Sequence, residues 1–359
     1  MHIYYLYNLL LFGLFPVLGR RIIFLIALTF PFFLLFLPDT GADFIYYQNA
    51  YETVYFDTSA PLFFRSGSEL TAEAGWFTYT GLLHYLLPNY RWFLVVNFLL
   101  CLALIVKSLT VLKIDKDKIG LMVAVMVPIS FVTIMFWSPR SALPLALCFL
   151  GIAYLEKRRE ILGIFLFFIA LMIHSQYAVI IFIFSLFYFL KRYILVRYKI
   201  STILAISGLF LIIAYLNAEY VVSILDFIPT AAILTSKLHY LESSETAFRT
   251  SGLLSIFVYP LFMWFCRKNP DFQKIGTVLI MLTVFSMLIN IAFINNAHIA
   301  GRIARASDYF LFSYVLATTA FLLSPRIGSL VLIPMFIVLP FLFPDLYNFT
   351  EIMGSLGLY

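Results

Sequence analysis

Apolar residues run along this chain in long unbroken stretches, not in strict alternation with polar ones. Twelve stretches stand out: 3–18, 22–38, 91–112, 119–137, 140–155, 161–174, 177–190, 200–216, 252–266, 274–294, 306–323 and 327–343. A helix needs about 20 apolar residues to cross a bilayer, within a range near 17–25. The short pair 161–174 and 177–190 also reads as one bent segment. The basic runs at 156–159 and 191–199 would then fall on opposite sides of the membrane. Open sheet edges do not survive in lipid, so continuous runs of this kind predict helices. The pattern therefore predicts an all-α fold, a polytopic membrane helix bundle of about twelve spans, with 1–359 forming a single transmembrane domain. The first segment follows only Met1 and His2, with no basic region, and is expected to stay as a span and not to be cleaved.

The polar residues set the orientation. One set of connections carries Arg20, Arg21, Lys107, Lys113, Lys116, Lys118, Lys157, Arg158, Arg159, Lys191, Arg192, Arg197, Lys199, Arg267, Lys268, Lys274 and Arg326, which is 17 of the 24 basic residues. The other set carries Arg65, Arg91, Arg140, Lys237, Arg249, Arg302 and Arg305. The positive-inside rule makes the first set cytoplasmic and puts both termini outside. Two long connections, 39–90 and 217–251, then lie outside, with all five histidines and 13 of the 18 acids. Chemistry is expected at that outer face. A transporter would instead carry polar groups near the midplane of its helices, and charge is nearly absent there.

Composition sharpens the class. The chain is 63% hydrophobic and 12% charged, against about 45–50% and 25% in a soluble domain. So few charges cannot cover a water-facing surface, which excludes a soluble enzyme, a disordered chain and a disulfide scaffold. Cys101, Cys148 and Cys266 lie in apolar stretches and define neither a disulfide framework nor a metal spacing. The net charge of +6 sits in loops and implies no nucleic-acid partner. There is no Walker loop and no His-Glu-x-x-His, so neither ATP-driven transport nor a metal or cofactor is expected. Asp115-Lys116-Asp117 reads as a solvated turn.

Within 39–90, Asp43, Phe44, Tyr47, Tyr51 and Tyr55 recur at helical spacing, which predicts a short amphipathic helix at the membrane surface. Thr71 reads as the cap of a second helix, with Glu73 in its first turn and Trp76, Tyr79, Leu83 and Leu86 on one face. Arg65 and Arg91 read as snorkelling side chains. Arg140, Arg302 and Arg305 are different, because they oppose the positive-inside bias with no basic run beside them. Guanidinium forks bind phosphate oxygens and stay charged at any relevant pH. Such a set at one interface suits a lipid-linked phosphate or pyrophosphate. His174, at the outer end of 161–174, reads either as a solvated cap or as a general base near neutral pH.

These residues together resemble the EpsG-like, Wzy-type family of bacterial polysaccharide polymerases. The family opens its first outer loop with Gly-(Ser/Thr)-Asp-aromatic-x-x-Tyr, matched here by Gly41-Ala42-Asp43-Phe44-Ile45-Tyr46, with Ala42 a departure. Its Glu-Pro-Gly-aromatic is matched by Glu73-Ala74-Gly75-Trp76. The arginine that begins a middle helix is matched by Arg140-Ser141-Ala142-Leu143, without the glutamine and alanine that often follow. Glu156-Lys157-Arg158-Arg159 matches the basic turn, His174-Ser175-Gln176 the histidine at a helix end, and Arg305, Tyr309 and Phe310 a late Arg-x-x-x-Tyr-aromatic. The family's arginine before the first outer motif is missing, and Leu37-Pro38 stand there.

The resemblance implies a GT-C-like bundle in the bacterial inner membrane, working at its outer, periplasmic face. It implies transfer of a growing chain from undecaprenyl pyrophosphate onto a hydroxyl of the next lipid-linked repeat unit. The bilayer and a chain-length regulator protein are the further partners. For that step the catalytic candidates are His174, Arg140, Arg302, Arg305 and His298, and the substrate-binding ones Asp43, Glu73, Arg249, Tyr46 and Trp76; Arg302, His298 and Arg249 are chosen from their place at the outer face and match no family motif. For the acceptor hydroxyl, His174 is the first choice of base, with His298, Asp43 and Glu73 behind it. Two other classes stay open: a flippase for lipid-linked sugars, and another outer-face transferase such as an O-antigen ligase or an acyltransferase.

Overall fold

The computed structural model describes residues 42–68, 73–114 and 139–175 nearly throughout, with shorter stretches or single residues within 25–35, 119–123, 177–188, 259–273 and 282–290. The predicted segments 3–18, 200–216, 306–323 and 327–343 lie outside the described residues. So do the connection 217–251, Thr71 and the Asp115-Lys116-Asp117 turn, and with them the count of twelve spans. The described chain is mostly helical. Helix α1 is Ala42–Glu52, α2 Ala74–Leu86, α3 Tyr90–Val111, α4 Pro139–Glu156, α5 Glu160–Ile173 and α6 Tyr259–Cys266. The described residues up to Ser175 form one compact unit, and those from Tyr177 onward belong to a second.

Helix α3 carries the apolar run predicted over 91–112. Its 22 residues rise about 33 Å at 1.5 Å each, and it is the one helix among the described residues long and apolar enough to cross a membrane. Asn89 starts it, accepting hydrogen bonds from the N–H groups of Arg91 at 2.9 Å and Trp92 at 3.4 Å. Arg91 does more than snorkel. Its guanidinium donates to the Leu35 carbonyl at 3.0 Å and lies 5.8 Å from the centre of the Phe44 ring, so it ties the preceding segment to the head of α3.

Helices α4 and α5 form an antiparallel hairpin around the exposed turn Lys157-Arg158-Arg159, where Arg158 takes a left-handed φ of 58°. Small residues let the two backbones close. A Cβ built on Gly163 would stand 2.9 Å from the Gly151 carbonyl, and one on Gly151 would press on the Phe167 ring at 2.7 Å. The face of α5 away from α4 leaves Ile161, Ile164, Phe165 and Phe168 exposed at helical spacing, an apolar stripe of the kind a lipid-facing helix shows. The hairpin geometry has a direct consequence. Arg140, in the first turn of α4, and His174, at the end of α5, meet at the end opposite the basic turn.

The connection 39–90 departs from its predicted form in three ways. First, the aromatic stripe of α1 is not a membrane-surface face but part of the core. Phe44 and Tyr51 are buried; Phe44 meets Tyr90 at 5.3 Å, Tyr47 meets Trp76 at 6.0 Å and Tyr51 meets Phe93 at 4.6 Å. Pairs of this kind contribute about 0.5–1.5 kcal/mol each beyond their burial, and the Tyr51 hydroxyl donates to the Leu87 carbonyl at 2.5 Å. Second, Tyr55 is not on that helix. It sits in strand β1, Val54–Phe56, which pairs antiparallel with β2, Phe64–Ser66, Tyr55 facing Arg65. The small sheet adds to the all-α expectation without changing the class. Third, Glu73 stands just before α2, at its capping position, not inside its first turn. Arg65 behaves as the expected surface side chain, 53% exposed and paired with Asp57 at 3.1 Å.

Candidate active site

Three residues that are far apart in sequence meet in the first compact unit. Glu73 precedes α2, Arg140 begins α4 and His174 follows the last turn of α5. The Glu73 carboxylate is the hub. Its Oε1 lies 3.4 Å from His174 Nδ1, accepts the Ser175 backbone N–H at 2.8 Å and accepts the Ser175 hydroxyl at 2.6 Å. Its Oε2 faces Arg140 Nη1 across 3.5 Å as an ion pair and receives no hydrogen bond among the described residues.

Local structure explains how each group arrives. A carboxylate at a helix start usually caps its own N–H groups, yet Glu73 makes no side-chain cap. Its carbonyl serves the helix instead, accepting from Trp76 N–H at 2.9 Å. The side chain is therefore turned outward to α4 and α5, with the positive end of the α2 dipole still beside it. On α5, the His174 N–H closes the last helical turn on the Ala170 carbonyl at 2.9 Å. The backbone then becomes extended, at φ −153° and ψ 103°, which brings the next N–H, that of Ser175, onto Glu73. The two elements approach closely because of Gly75: a Cβ there would overlap the Met172 carbonyl. On α4, Pro144 has no N–H for the Arg140 carbonyl four residues back, so the first turn is loosened where Arg140 sits.

The site is buried, which settles the character of its groups. The side chains of Arg140, His174 and Glu73 are 9%, 4% and 18% exposed. Arg140 is thus no snorkelling residue, and His174 is no solvated cap. Burial alone would raise the Glu73 carboxyl. The His174 hydrogen bond, the Arg140 charge and the Ser175 hydroxyl outweigh it and hold the group well below the usual carboxylate range. Glu73 is therefore a fixed anion and a weak base. With Nδ1 turned to the carboxylate, Glu73 is placed to orient the His174 ring, as a carboxylate does for the imidazole of a general base.

Of the other candidates, Trp76 and Tyr46 have described side chains, and both lie apart from the trio. Trp76 is one turn beyond Glu73, but its ring is buried against Tyr47, Tyr79 and Phe93. Tyr46 is on the opposite face of α1 and half exposed. Asp43 falls in the first turn of α1, with its side chain outside the described residues, and Arg249, His298, Arg302 and Arg305 also lie outside them. Two contributors carried no role in the sequence reading. Ser175 was legible only as the residue after His174. Asn97 is the one amide in the run 91–112, and an amide among apolar residues of a spanning helix is a functional signal in its own right.

No curated relative and no solved structure matches the chain. The EpsG family model matches residues 20–354, a span that takes in Glu73, Arg140 and His174 together. The chain belongs to the EpsG family and is a membrane protein of the polysaccharide-polymerase type.

Proposed function

We propose that this protein is a bacterial inner-membrane glycosyltransferase that polymerises polysaccharide repeat units carried on undecaprenyl pyrophosphate, at the periplasmic face. One observation carries the reading: a single buried carboxylate, Glu73, holds an arginine and a histidine together at the end of the α4–α5 hairpin opposite its basic turn. In the proposed step, a sugar hydroxyl of the incoming unit attacks the anomeric carbon at the lipid end of the growing chain. The new glycosidic C–O bond forms as the bond from that carbon to the pyrophosphate oxygen breaks. The hydroxyl proton passes to His174 Nε2, and the lipid pyrophosphate leaves as the anion.

The division of labour follows from charge. The leaving group is already a stabilised anion, so the main need is positive charge where it departs. Arg140 supplies that charge, with Arg302, Arg305 and Arg249 as the proposed further cations. Glu73 is held too acidic to act as the base, so it orients His174 and Arg140 instead. His298 remains the competing base, and Asp43 and Tyr46 are proposed on the sugar side. Both termini are proposed to be periplasmic.

The test is complementation of a deletion strain, read as a ladder of polymer lengths on a gel. Wild type restores the ladder, whereas His174→Ala and Arg140→Ala each leave core plus one repeat. A ladder of unchanged length on lipid carrier that fails to reach its acceptor would identify a ligase and overturn the polymerase reading.

A further inference from the structure

Asn97 lies seven residues into α3, flanked by Val95, Val96, Phe98 and Leu99, and is completely buried. An amide in such surroundings is costly unless its donors and acceptor are used. Here they join three helices. Oδ1 accepts from the Tyr79 hydroxyl at 2.9 Å, and Nδ2 donates to the Pro139 carbonyl at 3.3 Å. The Cys101 thiol leans on the same oxygen at 3.9 Å. Tyr79 is on α2, the helix that Glu73 precedes, and Pro139 is the residue before Arg140.

The amide thus links the element bearing the carboxylate to the backbone next to the guanidinium. The link falls on the first turn of α4, ahead of its internal proline. Pro144 has no N–H to offer the Arg140 carbonyl, so the helical ladder lacks one bond in this turn. A Tyr–Asn pair serving only itself could be exchanged for two apolar side chains at little cost. The bond to the Pro139 carbonyl gives the pair a consequence outside itself.

On the reading that Arg140 meets the phosphates, we infer that Asn97 is a positioning residue that sets where the Arg140 guanidinium stands relative to Glu73. Tyr79 is its lever on α2. Binding of a pyrophosphate group then depends on Asn97 through Arg140 and not through a contact of its own.

The experiment uses the full chain in lipid nanodiscs and inorganic pyrophosphate as the probe, followed by calorimetric titration. Asn97→Ala and Tyr79→Phe are each made in the native background and in Arg140→Lys. A displacement near 1 Å costs up to about 100-fold where geometry matters, so Asn97→Ala is expected to weaken pyrophosphate binding about 10- to 100-fold. Tyr79→Phe, which cuts only the α2 branch, is expected to weaken it less. In the Arg140→Lys background both losses should shrink below about twofold, because the two sites act through one group. Equal losses in the two backgrounds, or no loss at all, would overturn the inference. If Asn97→Ala does not insert, Tyr79→Phe, one oxygen lighter, decides the matter by the same comparison. Polymer formation is followed separately. Coupled pyrophosphate binding without polymer defeats the polymerase reading and leaves the positioning role standing.

Discussion

Glu73→Gln isolates the charge of the hub while keeping its shape. The native carboxylate offers two acceptor oxygens. Oε1 serves His174 and both Ser175 donors, and Oε2 faces Arg140. Glutamine offers one acceptor and one donor nitrogen. With its oxygen left on Ser175, the new NH2 points at a guanidinium, donor against donor. Flipped, it meets the Ser175 N–H with another donor and that bond is lost, although the hydroxyl can turn to accept. One side must fail in either case. Each hydrogen bond to a charged partner contributes about 1.5–3 kcal/mol, and breaking a buried ion pair on one side costs about 3–5 kcal/mol. Arg140 is 9% exposed, so the larger figure applies, and we expect Glu73→Gln to lose about 3–5 kcal/mol of stability. We also expect polymer formation to fall on the order of 10²–10⁴-fold, because the base loses its orientation and the cation its counter-charge together. Glu73→Asp keeps the charge on a shorter arm and should fall between Gln and wild type. The assay is thermal inactivation in nanodiscs beside the initial rate of polymer growth. A Glu73→Gln protein that unfolds with the wild type and polymerises within about threefold of its rate would refute the hub.

The remaining predictions use the same two measurements unless another is named. Arg140→Lys keeps the charge but loses the planar fork, so polymer growth should fall strongly while Arg65→Lys, at an exposed surface pair, is nearly silent; equal tolerance of both would make Arg140 a structural residue. Gly75→Ala forces a methyl group into the Met172 carbonyl, so it should cost about 1–3 kcal/mol and abolish polymer growth. Gly81→Ala presses first on the Phe64 ring and should lower stability with growth retained. A Glu73 carboxyl held below its ordinary value near 4.5 stabilises fully above that pH and progressively less as the pH falls below it. Glu73→Gln should therefore flatten the acid limb of a stability–pH profile, and an unchanged limb would assign it to another group. In a chain freed of its own cysteines, Thr58→Cys should react with an impermeant maleimide in intact cells and Arg158→Cys only after lysis; the reverse pattern would invert the topology.

How much the sequence disclosed depended on the range of the interactions involved. Helices α3, α4 and α5 stand within a residue of the apolar runs 91–112, 140–155 and 161–174, because hydropathy over many residues averages out local accidents. Within 39–90 the reading was half right. The spacing of Phe44, Tyr47 and Tyr51 is helical, but periodicity cannot say whether an aromatic face meets lipid, water or protein. Nor can three residues such as Val54–Phe56 display a strand period, so Tyr55 was drawn into the wrong element. Glu73, Arg140 and His174 were each legible by chemical type. Their meeting was not, because 101 positions separate Glu73 from His174 and only the packing of three helices closes that distance. The same gap hid the role of Ser175. It also turned His174 from an expected surface imidazole into a buried one, so its removal leaves a hole as well as a missing base.

A buried trio of this kind needs a reason beyond stability. Replacing a buried ion pair with apolar side chains of similar volume is often neutral or favourable, and this chain is already 63% hydrophobic. Retaining Glu73 against Arg140 therefore sacrifices packing that the surroundings could readily supply. The charge balance shows what such a pair is suited to. At rest the carboxylate and guanidinium neutralise each other, so the site is closed to solvent without leaving a bare charge in a low-dielectric interior. A pyrophosphate group brings at least two negative charges into the same space. Arg140 can answer only one of them, and only by turning part of its attraction away from Glu73, whose Oε2 already lacks a hydrogen bond. Protonation of His174 during the step adds a second positive charge next to the carboxylate, at the moment when the leaving group most needs Arg140. On the proposed mechanism, the proton taken from the acceptor hydroxyl thus releases the arginine toward the phosphate. On the proposed reading base and cation are linked through Glu73, and one guanidinium cannot balance the departing anion alone, which is the reason for proposing Arg302 and Arg305 as further cations.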